Sequence, residues 1–304
     1  MEINETIILD DRGFVKINGD EAKSFLQNIV TNDIEKITDS LTLFSSIFTP
    51  QGKYLYEFFI LKFEDGYLLE CEKKITPEII KIFNFYKLRT KVKLTDVSEK
   101  YTNILISLEK FKEISKSQNV GNSVLSYEKG STLSCENERV FLDPRNKSLG
   151  AKIVTKIENI ENIVKKLELK KIDKKNYYEK SFFLGIPQLN LYKLKDKIFG
   201  IENNLDELGG IDFKKGCYIG QENTSRIKLR NKLRRRILPI KKISGEISEN
   251  DIIKYKDAEI GKVMIDKPYS FGLIKVVDPD LNEFIESELV CGNSKIKIIK
   301  PKWI

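Results

Sequence analysis

The residues best suited to chemistry in this 304-residue chain are concentrated between positions 208 and 222, around Cys217. Lys214 and Lys215 precede the cysteine, and residues 220–229 after it predict a helix, with Asn231 as its left-handed C-terminal residue. Nearby cations and a helix N-terminus favour the thiolate, which can act as a nucleophile, a redox centre or a soft metal ligand. A buried, inert cysteine is the alternative, because free cysteines commonly pack as small hydrophobic residues.

Glycines at positions 209, 210, 216 and 220 require this backbone to turn sharply or to approach another group closely. Their spacing matches neither the GxGxxG fingerprint of dinucleotide sites nor the GxxxxGK[ST] phosphate loop. The stretch therefore predicts a tight loop that presents a cysteine.

Histidine is absent from the chain, which excludes whole classes of site. Ser–His and Cys–His nucleophile pairs, imidazole metal ligands and histidine general bases cannot form. Any proton transfer must use Asp, Glu, Lys, Tyr, Cys or water. With 40% hydrophobic and 10% aromatic residues, the composition is that of a globular protein of two or three domains.

The four cysteines stand singly, at positions 71, 135, 217 and 291, and form neither a disulfide framework nor a CxxC zinc pair. The acidic N-terminus lacks the basic flank and apolar run of a secretory signal, and no apolar stretch of about 18 residues predicts a membrane span. A reducing, cytoplasmic location without membrane contact is expected.

Basic residues are concentrated in one segment. Nine of them lie between positions 226 and 242 with no acidic residue among them, and subtracting nine from the formal net charge of +8 leaves −1 for the rest of the chain. The segment is either a solvated face or a surface for a polyanion such as RNA or an anionic cofactor tail.

The elements that position these residues follow from hydrophobic spacing. A helix is predicted after Asp20, because apolar residues recur at positions 22, 25, 26, 29 and 30. A β-hairpin is predicted from residues 54–63 and 67–71, and the helix after it is predicted to be capped by Thr76.

Further strands are predicted at residues 91–94, 104–108 and 139–142, and a helix-rich stretch over 158–184. From about Leu233 short apolar alternations are separated by Gly, Pro, Asp and Asn, which predicts a small all-β domain. The fold class is therefore α+β with a C-terminal β-barrel-like domain.

The octapeptide KGCYIGQE resembles the KGCYxGQE signature of the YgfZ family. These folate-binding proteins are linked to tRNA modification and to iron–sulfur cluster assembly or repair, and they are related to the glycine-cleavage T-protein (GcvT), an aminomethyltransferase. The motif is highly specific, and its residues here are Lys215, Gly216, Cys217, Tyr218, Gly220, Gln221 and Glu222, with Arg226 beyond it. The similarity reaches about residue 240 through short motifs at 19–27, 31–33, 49–53, 87–89, 143–145 and 204–211.

The resemblance implies a three-domain GcvT-like ring, with a ferredoxin-like α+β body and a C-terminal antiparallel β-barrel. The expected domains are residues 1–50 together with 145–231, residues 51–144, and residues 232–304. Tetrahydrofolate or a one-carbon derivative would occupy a central channel near the motif cysteine.

The resemblance also implies roles for single residues. Cys217 would supply the reactive thiolate, and Lys215 would hold it charged. Folate contacts are expected at Asn32, Asp33, Glu57, Arg89, Tyr177 and Glu202. The carboxylate pair of T-protein corresponds here to Tyr56 and Glu57, so one acidic group of the pair is replaced.

Three functions follow as hypotheses. The first is a folate-binding accessory protein that supports iron–sulfur cluster assembly or repair and tRNA modification, acting as a monomer with iron–sulfur enzymes or assembly factors as partners. The second is a folate-dependent aminomethyltransferase in which Glu57 is the key group. The third is an RNA-binding module that uses the basic segment 226–242, with RNA contacts from 226–236. One cysteine cannot hold a cluster alone, so any cluster would need further ligands.

Overall fold

The computed structural model describes residues 1–117, 127–135, 138–230, 233–276, 284–285 and 287–304. Within these ranges the α-helices are α1 (Ala22–Ile29), α2 (Thr76–Lys87), α3 (Leu108–Ser117), α4 (Ile160–Lys166), α5 (Lys175–Phe183) and α6 (Gln221–Leu229). The strands are β1 (Glu5–Leu9), β2 (Arg12–Asn18), β3 (Leu43–Phe48), β4 (Tyr54–Phe63), β5 (Gly66–Glu72), β6 (Lys93–Asp96), β7 (Tyr101–Ile106), β8 (Thr132–Cys135), β9 (Glu138–Leu142), β10 (Ala151–Lys156), β11 (Lys170–Lys171), β12 (Arg235–Ser244), β13 (Ile252–Tyr255), β14 (Ala258–Ile265), β15 (Phe271–Lys275), β16 (Leu289–Cys291) and β17 (Ser294–Ile298).

These elements form two compact units. The first unit contains residues 1–47, 57–177 and 208–218, and the second contains residues 48–56, 178–207 and 219–304. Both units are discontinuous in sequence, and the loop around Cys217 belongs to the first. The three-domain division stays a prediction.

The first unit is built on two sheets, with strand orders β11-β1-β7-β10-β9-β8 and β3-β4-β5-β2-β6. The six-stranded sheet buries one face under helices, because Ala151 and Ile153 of β10 pack in one cluster with Phe111 and Ile114 of α3. Side chains alternate across a strand, so Lys152, between the two apolar residues, lies on the opposite face. That face meets the five-stranded sheet.

A buried charge network joins the two sheets of the first unit. Glu70 of β5 accepts hydrogen bonds from Lys152 of β10 at 3.0 Å on both oxygens and from Arg12 of β2 at 2.5 Å. Burial raises the pKa of Glu70, but the charges of Lys152 and Arg12 outweigh this effect and hold the pKa below its ordinary value. Burial lowers the pKa of Lys152 to about 8. The Lys152 amine also lies 4.4 Å from the centre of the Phe59 ring.

The second unit contains a closed barrel of strands in the order β12-β15-β14-β13-β16-β17, all paired antiparallel. Its core is formed by inward-facing aliphatic residues such as Leu238, Ile253 and Ile296, together with Phe284. On β17 the buried residues alternate with lysines at positions 295 and 297. The predicted all-β C-terminal domain is therefore confirmed.

Most local sequence predictions are confirmed. The helix after Asp20 is α1, whose buried residues Ala22, Phe25, Leu26 and Ile29 follow the predicted spacing. The predicted hairpin is the antiparallel pair of β4 and β5. The stretch 158–184 contains α4 and α5, and the helix predicted over 220–229 is α6. Asn231, predicted to end that helix, lies outside the described residues.

Two local predictions are wrong. Thr76 is itself helical and Ile75 holds the cap position of α2, while the Thr76 hydroxyl lies 3.4 Å from the Cys71 sulfur. The strand predicted to reach Leu108 ends at Ile106. The helix α3 begins there because the Ser107 hydroxyl accepts the backbone N–H of Lys110, which caps the helix.

Replacing Glu70 by Gln should destabilise the first unit strongly. The substitution removes the carboxylate charge that Lys152 and Arg12 share in the buried network, and breaking a buried ion pair costs about 3–5 kcal/mol. Denaturant unfolding followed by circular dichroism measures the loss. Glu35→Gln breaks the exposed ion pair with Lys23 and serves as the control, with nearly unchanged stability. Equal effects of the two substitutions would contradict a central role for the buried network.

Candidate functional site

The glycine-rich loop before Cys217 is fastened to the residues that follow α1. The Asn32 amide donates to the carbonyl oxygens of Phe44 at 2.8 Å and Gly209 at 2.9 Å, and the Thr31 hydroxyl donates to that of Gly210 at 2.6 Å. These bonds join three chain segments at one point. The side-chain N–H groups of Asn32 are thus used by the protein backbone.

Lys215 anchors the loop from inside. Its amine donates to the carbonyl oxygens of Gln27, Val30 and Asn32 at 2.7, 2.7 and 2.9 Å. These carbonyls lie at and just beyond the C-terminus of α1, where helices leave carbonyl groups without intrahelical partners. Burial lowers the pKa of Lys215 to about 8.

An ammonium group has three N–H donors, and the three carbonyls take all of them. Lys215 therefore has no donor left for Cys217, and its contribution to the thiol is to position the loop. This differs from the expectation that Lys215 holds the thiolate charged.

The loop presents Cys217 to solvent. Tyr218 is buried, with its ring centre 5.2 Å from the Lys215 amine, whereas Gly216 and Cys217 are exposed. A side-chain carbon added at Gly216 would meet no atom within 4 Å, so the space beside the thiol is open. The alternative of a buried, inert Cys217 is excluded.

The other cysteines are less accessible. Cys71 and Cys291 are buried, and burial raises their thiol pKa values to about 12 and about 11. Cys135 is half-buried. Cys217 is thus the exposed thiol of the chain, since all four cysteines lie within the described residues. No group of three or more Cys, Asp or Glu side chains in the described part of the chain could hold a metal ion.

The second half of the motif packs within the second unit. Gly220 caps α6 with φ +81°, and a side-chain carbon there would come within 2.3 Å of the Thr49 carbonyl oxygen. Only glycine satisfies both conditions. Asn223 donates to the Gln51 carbonyl at 2.8 Å, and Glu222 pairs with Arg226 on the exposed face of α6. Gln221 is the first residue of the helix.

Glu57 lies in a second buried charge cluster of the first unit. Arg145 donates to Asp143 through Nε at 3.1 Å and Nη2 at 2.8 Å, and its Nη1 lies 3.9 Å from Glu57 Oε1. All three side chains are at most 6% exposed. Burial, and to a lesser extent Asp143, raises the pKa of Tyr177 above its ordinary range. The structure therefore brings Glu57 and Tyr177 to the same charged cluster.

Asp33 and Arg89, two other predicted folate residues, differ in their local surroundings. Asp33 accepts a hydrogen bond from Gln27 at 2.8 Å and caps a short 3-10 helix through the Glu35 N–H. Arg89 is exposed in the turn after α2.

Glu202 lies in the wall of a cavity of the second unit, which we name the arginine basin. The basin has a volume of about 680 Å³ and is lined by Phe199, Glu202, Arg226, Ile227, Arg230, Leu233, Arg234, Arg235, Lys275 and Val276. Glu202 accepts hydrogen bonds from the Phe199 N–H and from Arg235 Nε, both at 2.8 Å. The basin thus contains five cations and one carboxylate.

Sequence reasoning missed the roles of Arg145, Asp143 and the Glu70–Lys152–Arg12 network. The motif at 143–145 was visible but carried no assigned chemistry. A lysine inside the apolar strand β10 was the available signal for the network, because a buried lysine needs an acidic partner.

The fold is that of the glycine-cleavage aminomethyltransferase. The crystal structure of aminomethyltransferase T from Bartonella henselae aligns with a TM-score of 0.74, over 99% of this chain and 86% of that chain, at 10% identity. At this identity the match defines the fold alone. It confirms the predicted GcvT-like α+β fold with a β-barrel.

The sequence relatives are assembly factors. The chain is 26% identical over 97% of its length to a Neurospora crassa protein named iron–sulfur cluster assembly factor IBA57 homolog, mitochondrial. A protein of the same name from Mycosarcoma maydis is 29% identical over 75% of the chain. Another of the same name, from Dictyostelium discoideum, is 26% identical over 84% of the chain. The chain spans 64%, 55% and 64% of these relatives. No family model matches the sequence.

The predicted cytoplasmic location is wrong, because these relatives are named as mitochondrial proteins. The prediction rested on unpaired cysteines, which indicate a reducing setting but do not distinguish one reducing compartment from another. Among the described helices, none has the length and hydropathy needed to cross a membrane.

The contribution of Lys215 to stability should rise with pH. The folded protein releases this proton at about pH 8, whereas the ordinary lysine pKa is 10.5. Between these values the unfolded chain binds more protons than the folded one, so the free energy of unfolding increases with pH. Chemical denaturation of wild type and Lys215→Met at pH 7, 8.5 and 10 should show a widening difference in favour of wild type.

The exposed neighbour provides the control, since Lys214→Met also removes one positive charge but leaves the three carbonyls bonded. A difference between wild type and Lys215→Met that narrows as pH rises would show that the amine is not desolvated.

Proposed function

We propose that this protein is a tetrahydrofolate-binding, YgfZ-type iron–sulfur cluster assembly factor that acts through the Cys217 thiol. One observation carries the proposal: Lys215 is buried against three carbonyls while the next residues, Gly216 and Cys217, are exposed. This arrangement uses a lysine to hold a reactive sulfur at the surface. The names of the sequence relatives support an assembly role.

Cys217 supplies one soft thiolate ligand for an iron–sulfur cluster carried as cargo. A cluster needs several ligands, and a partner enzyme or assembly factor provides the others. An exposed thiol beside an open glycine can approach such a partner without rearrangement of the loop. Enzymes that modify tRNA through iron–sulfur clusters are among the clients of this function.

Tetrahydrofolate fits the chemistry of the buried carboxylates. The N–H groups of a pterin ring require acceptors, and the buried carboxylate of Glu57 in the first unit is a group of that kind, while the contact expected at Glu202 of the second unit stays a separate prediction. Tyr177 offers an aromatic face, and Arg89 a cation; Asn32 and Asp33 contribute by holding the loop. When bound, tetrahydrofolate supplies amines that carry one-carbon units.

Aminomethyl transfer is the weaker candidate. The fold match alone does not extend the activity of the aminomethyltransferase to this chain. Tyr56 replaces one carboxylate of the pair, and the remaining Glu57 lies 3.9 Å from the buried Arg145. The carboxylate pair of T-protein is therefore incomplete in this chain.

Cys217→Ser should abolish the assembly function and preserve folate binding. Serine keeps the size and the loop geometry but removes the soft ligand. The measurement is the activity of iron–sulfur enzymes in cells that lack the endogenous protein and express each variant, with tetrahydrofolate titration of the purified proteins. Cys135→Ser is the matched control and should behave as wild type. Full activity of Cys217→Ser would remove the thiol from the mechanism.

Glu57→Gln should weaken tetrahydrofolate binding about tenfold or more, because a charge-assisted hydrogen bond is worth about 1.5–3 kcal/mol. Isothermal titration calorimetry measures the change, and Glu64→Gln on the exposed hairpin turn serves as the control. Thermal unfolding of both variants separates lost binding from lost folding. A well-folded Glu57→Gln protein with wild-type affinity would remove Glu57 from the folate site.

A further inference from the structure

The C-terminal end of α2 presents two apolar side chains to solvent. Phe85 is 74% exposed, and Leu88, the first residue after the helix, is 85% exposed. Leu229 apart, the other exposed large apolar side chains of the described residues are at most 51% exposed. On the opposite face of α2, Phe83 is buried with its ring centre 5.9 Å from that of Phe25 in α1. The contacts that hold α2 on the first unit thus come from the other side of the helix.

Leu88 holds a backbone conformation that normally requires glycine. Its φ of +48° and ψ of −114° are those of the first central residue of a type II′ turn. The Thr90 N–H donates to the Lys87 carbonyl at 2.8 Å and closes this turn. A positive φ costs a leucine free energy, and strained residues of this kind cluster at functional sites. The fold thus bears a local cost to place an apolar side chain at the tip of an exposed turn.

Basic residues surround this apolar pair. Residues 81–93 contain five basic residues and no acidic one, and within the described part of the chain none of the five forms an ion pair. Glu78 lies in the first turn of α2, at the other end of the helix. The Glu21 carboxylate accepts the backbone N–H of Lys91 at 2.6 Å, so it fixes the chain after the turn and does not pair with the amine. The α2 patch, as we name this surface, comprises Lys81, Phe85, Lys87, Leu88, Arg89, Lys91 and Lys93.

The composition of the α2 patch favours a lipid surface over a protein or nucleic-acid partner. Four of its five basic residues are lysines, and protein–protein interfaces are depleted of lysine and enriched in arginine. Its most exposed apolar side chain is the aliphatic Leu88, which does not stack on bases as an aromatic ring does. Lysines around exposed Phe and Leu side chains are typical of helices that lie in the interface of an anionic membrane.

We propose that the α2 patch adsorbs to anionic lipid bilayers, with Phe85 and Leu88 entering the headgroup region. Each lysine or arginine near an anionic surface adds attraction, and each buried apolar carbon adds more, so the two contributions together give reversible binding.

This contact is peripheral and needs no membrane-spanning helix. It departs from the expectation of no membrane contact, because that expectation rested on the lack of a long apolar stretch. The inference does not depend on the proposed cluster assembly or folate binding.

Cosedimentation of the full-length protein with lipid vesicles tests the proposal. Wild type should bind vesicles made of equimolar phosphatidylcholine and phosphatidylserine at least about tenfold more tightly than vesicles of phosphatidylcholine alone. This binding should weaken as the salt concentration rises from about 50 to 500 mM.

Two variants separate the apolar and the electrostatic contributions. Leu88→Ser should weaken binding to the anionic vesicles about tenfold, because the leucine side chain leaves water when it enters the interface. Lys81→Gln/Lys91→Gln should weaken binding about thirtyfold at low salt, because each lysine contributes a factor of about five. Arg89 is left unchanged because a folate contact is proposed for it.

Each variant has a matched control in the second unit. Leu229 on α6 is as exposed as Leu88 and also lies beside basic residues, so Leu229→Ser matches Leu88→Ser. Lys241→Gln/Lys242→Gln removes two exposed lysines from β12 and matches the lysine pair. Both controls should bind anionic vesicles like wild type, and thermal unfolding of all four proteins verifies folding.

Four results would overturn the proposal. The first is wild-type protein that leaves the anionic vesicles unbound at about 50 mM salt. The second is vesicle binding that Leu229→Ser abolishes and Leu88→Ser preserves, which would place the lipid contact on α6. The third is a wild-type dimer in sedimentation velocity that Leu88→Ser dissociates, which would identify the patch as an interface between two copies. The fourth is binding of a single-stranded oligoribonucleotide, without vesicle binding, that Lys81→Gln/Lys91→Gln abolishes, which would identify an RNA surface.

Discussion

The loop geometry depends on one interaction, the burial of the Lys215 amine against three carbonyl oxygens. Desolvating an ammonium group is costly, and full hydrogen bonding offsets much of the cost. The carbonyls belong to the end of α1 and the residues just after it, so the lysine connects a helix terminus to a loop nearly two hundred residues later in the chain. Of the residues that follow Lys215 in the motif, Tyr218 is buried and Cys217 is exposed.

The same principle, a buried charge satisfied by several partners, recurs in the first unit. Glu70 joins Lys152 and Arg12, and Arg145 joins Asp143. Buried ion pairs contribute little net stability compared with apolar packing, but removing one partner strongly destabilises the folded protein. Forming these networks therefore adds little to the net stability, whereas breaking one of them is costly. The Arg145–Asp143 pair also lies close to Glu57 and Tyr177, so these two buried side chains are in a charged environment.

Hydrophobic spacing was sufficient to predict α1, the β4–β5 hairpin and the all-β barrel, because each depends on local periodicity. The two wrong local predictions concern the starts of α2 and α3. At each start, a side-chain contact that hydrophobic spacing does not reveal decides which residue caps the helix or where it begins. Thr76 packs against Cys71, and Ser107 takes the cap position of α3. For the site, the KGCYIGQE motif located the exposed thiol. It could not show that Lys215 points into the protein, since that depends on carbonyls contributed by α1.

The exposure of Cys217 has a consequence for oxidative damage. Oxidants attack thiolates that they can reach, and the first product is a sulfenic acid that reducing thiols can reverse. Because Cys71 and Cys291 are buried within strands, oxidation is expected mainly at the exposed sulfur of Cys217. No second exposed cysteine stands nearby to close an internal disulfide, so rescue of this atom falls to small thiols such as glutathione in the surrounding medium.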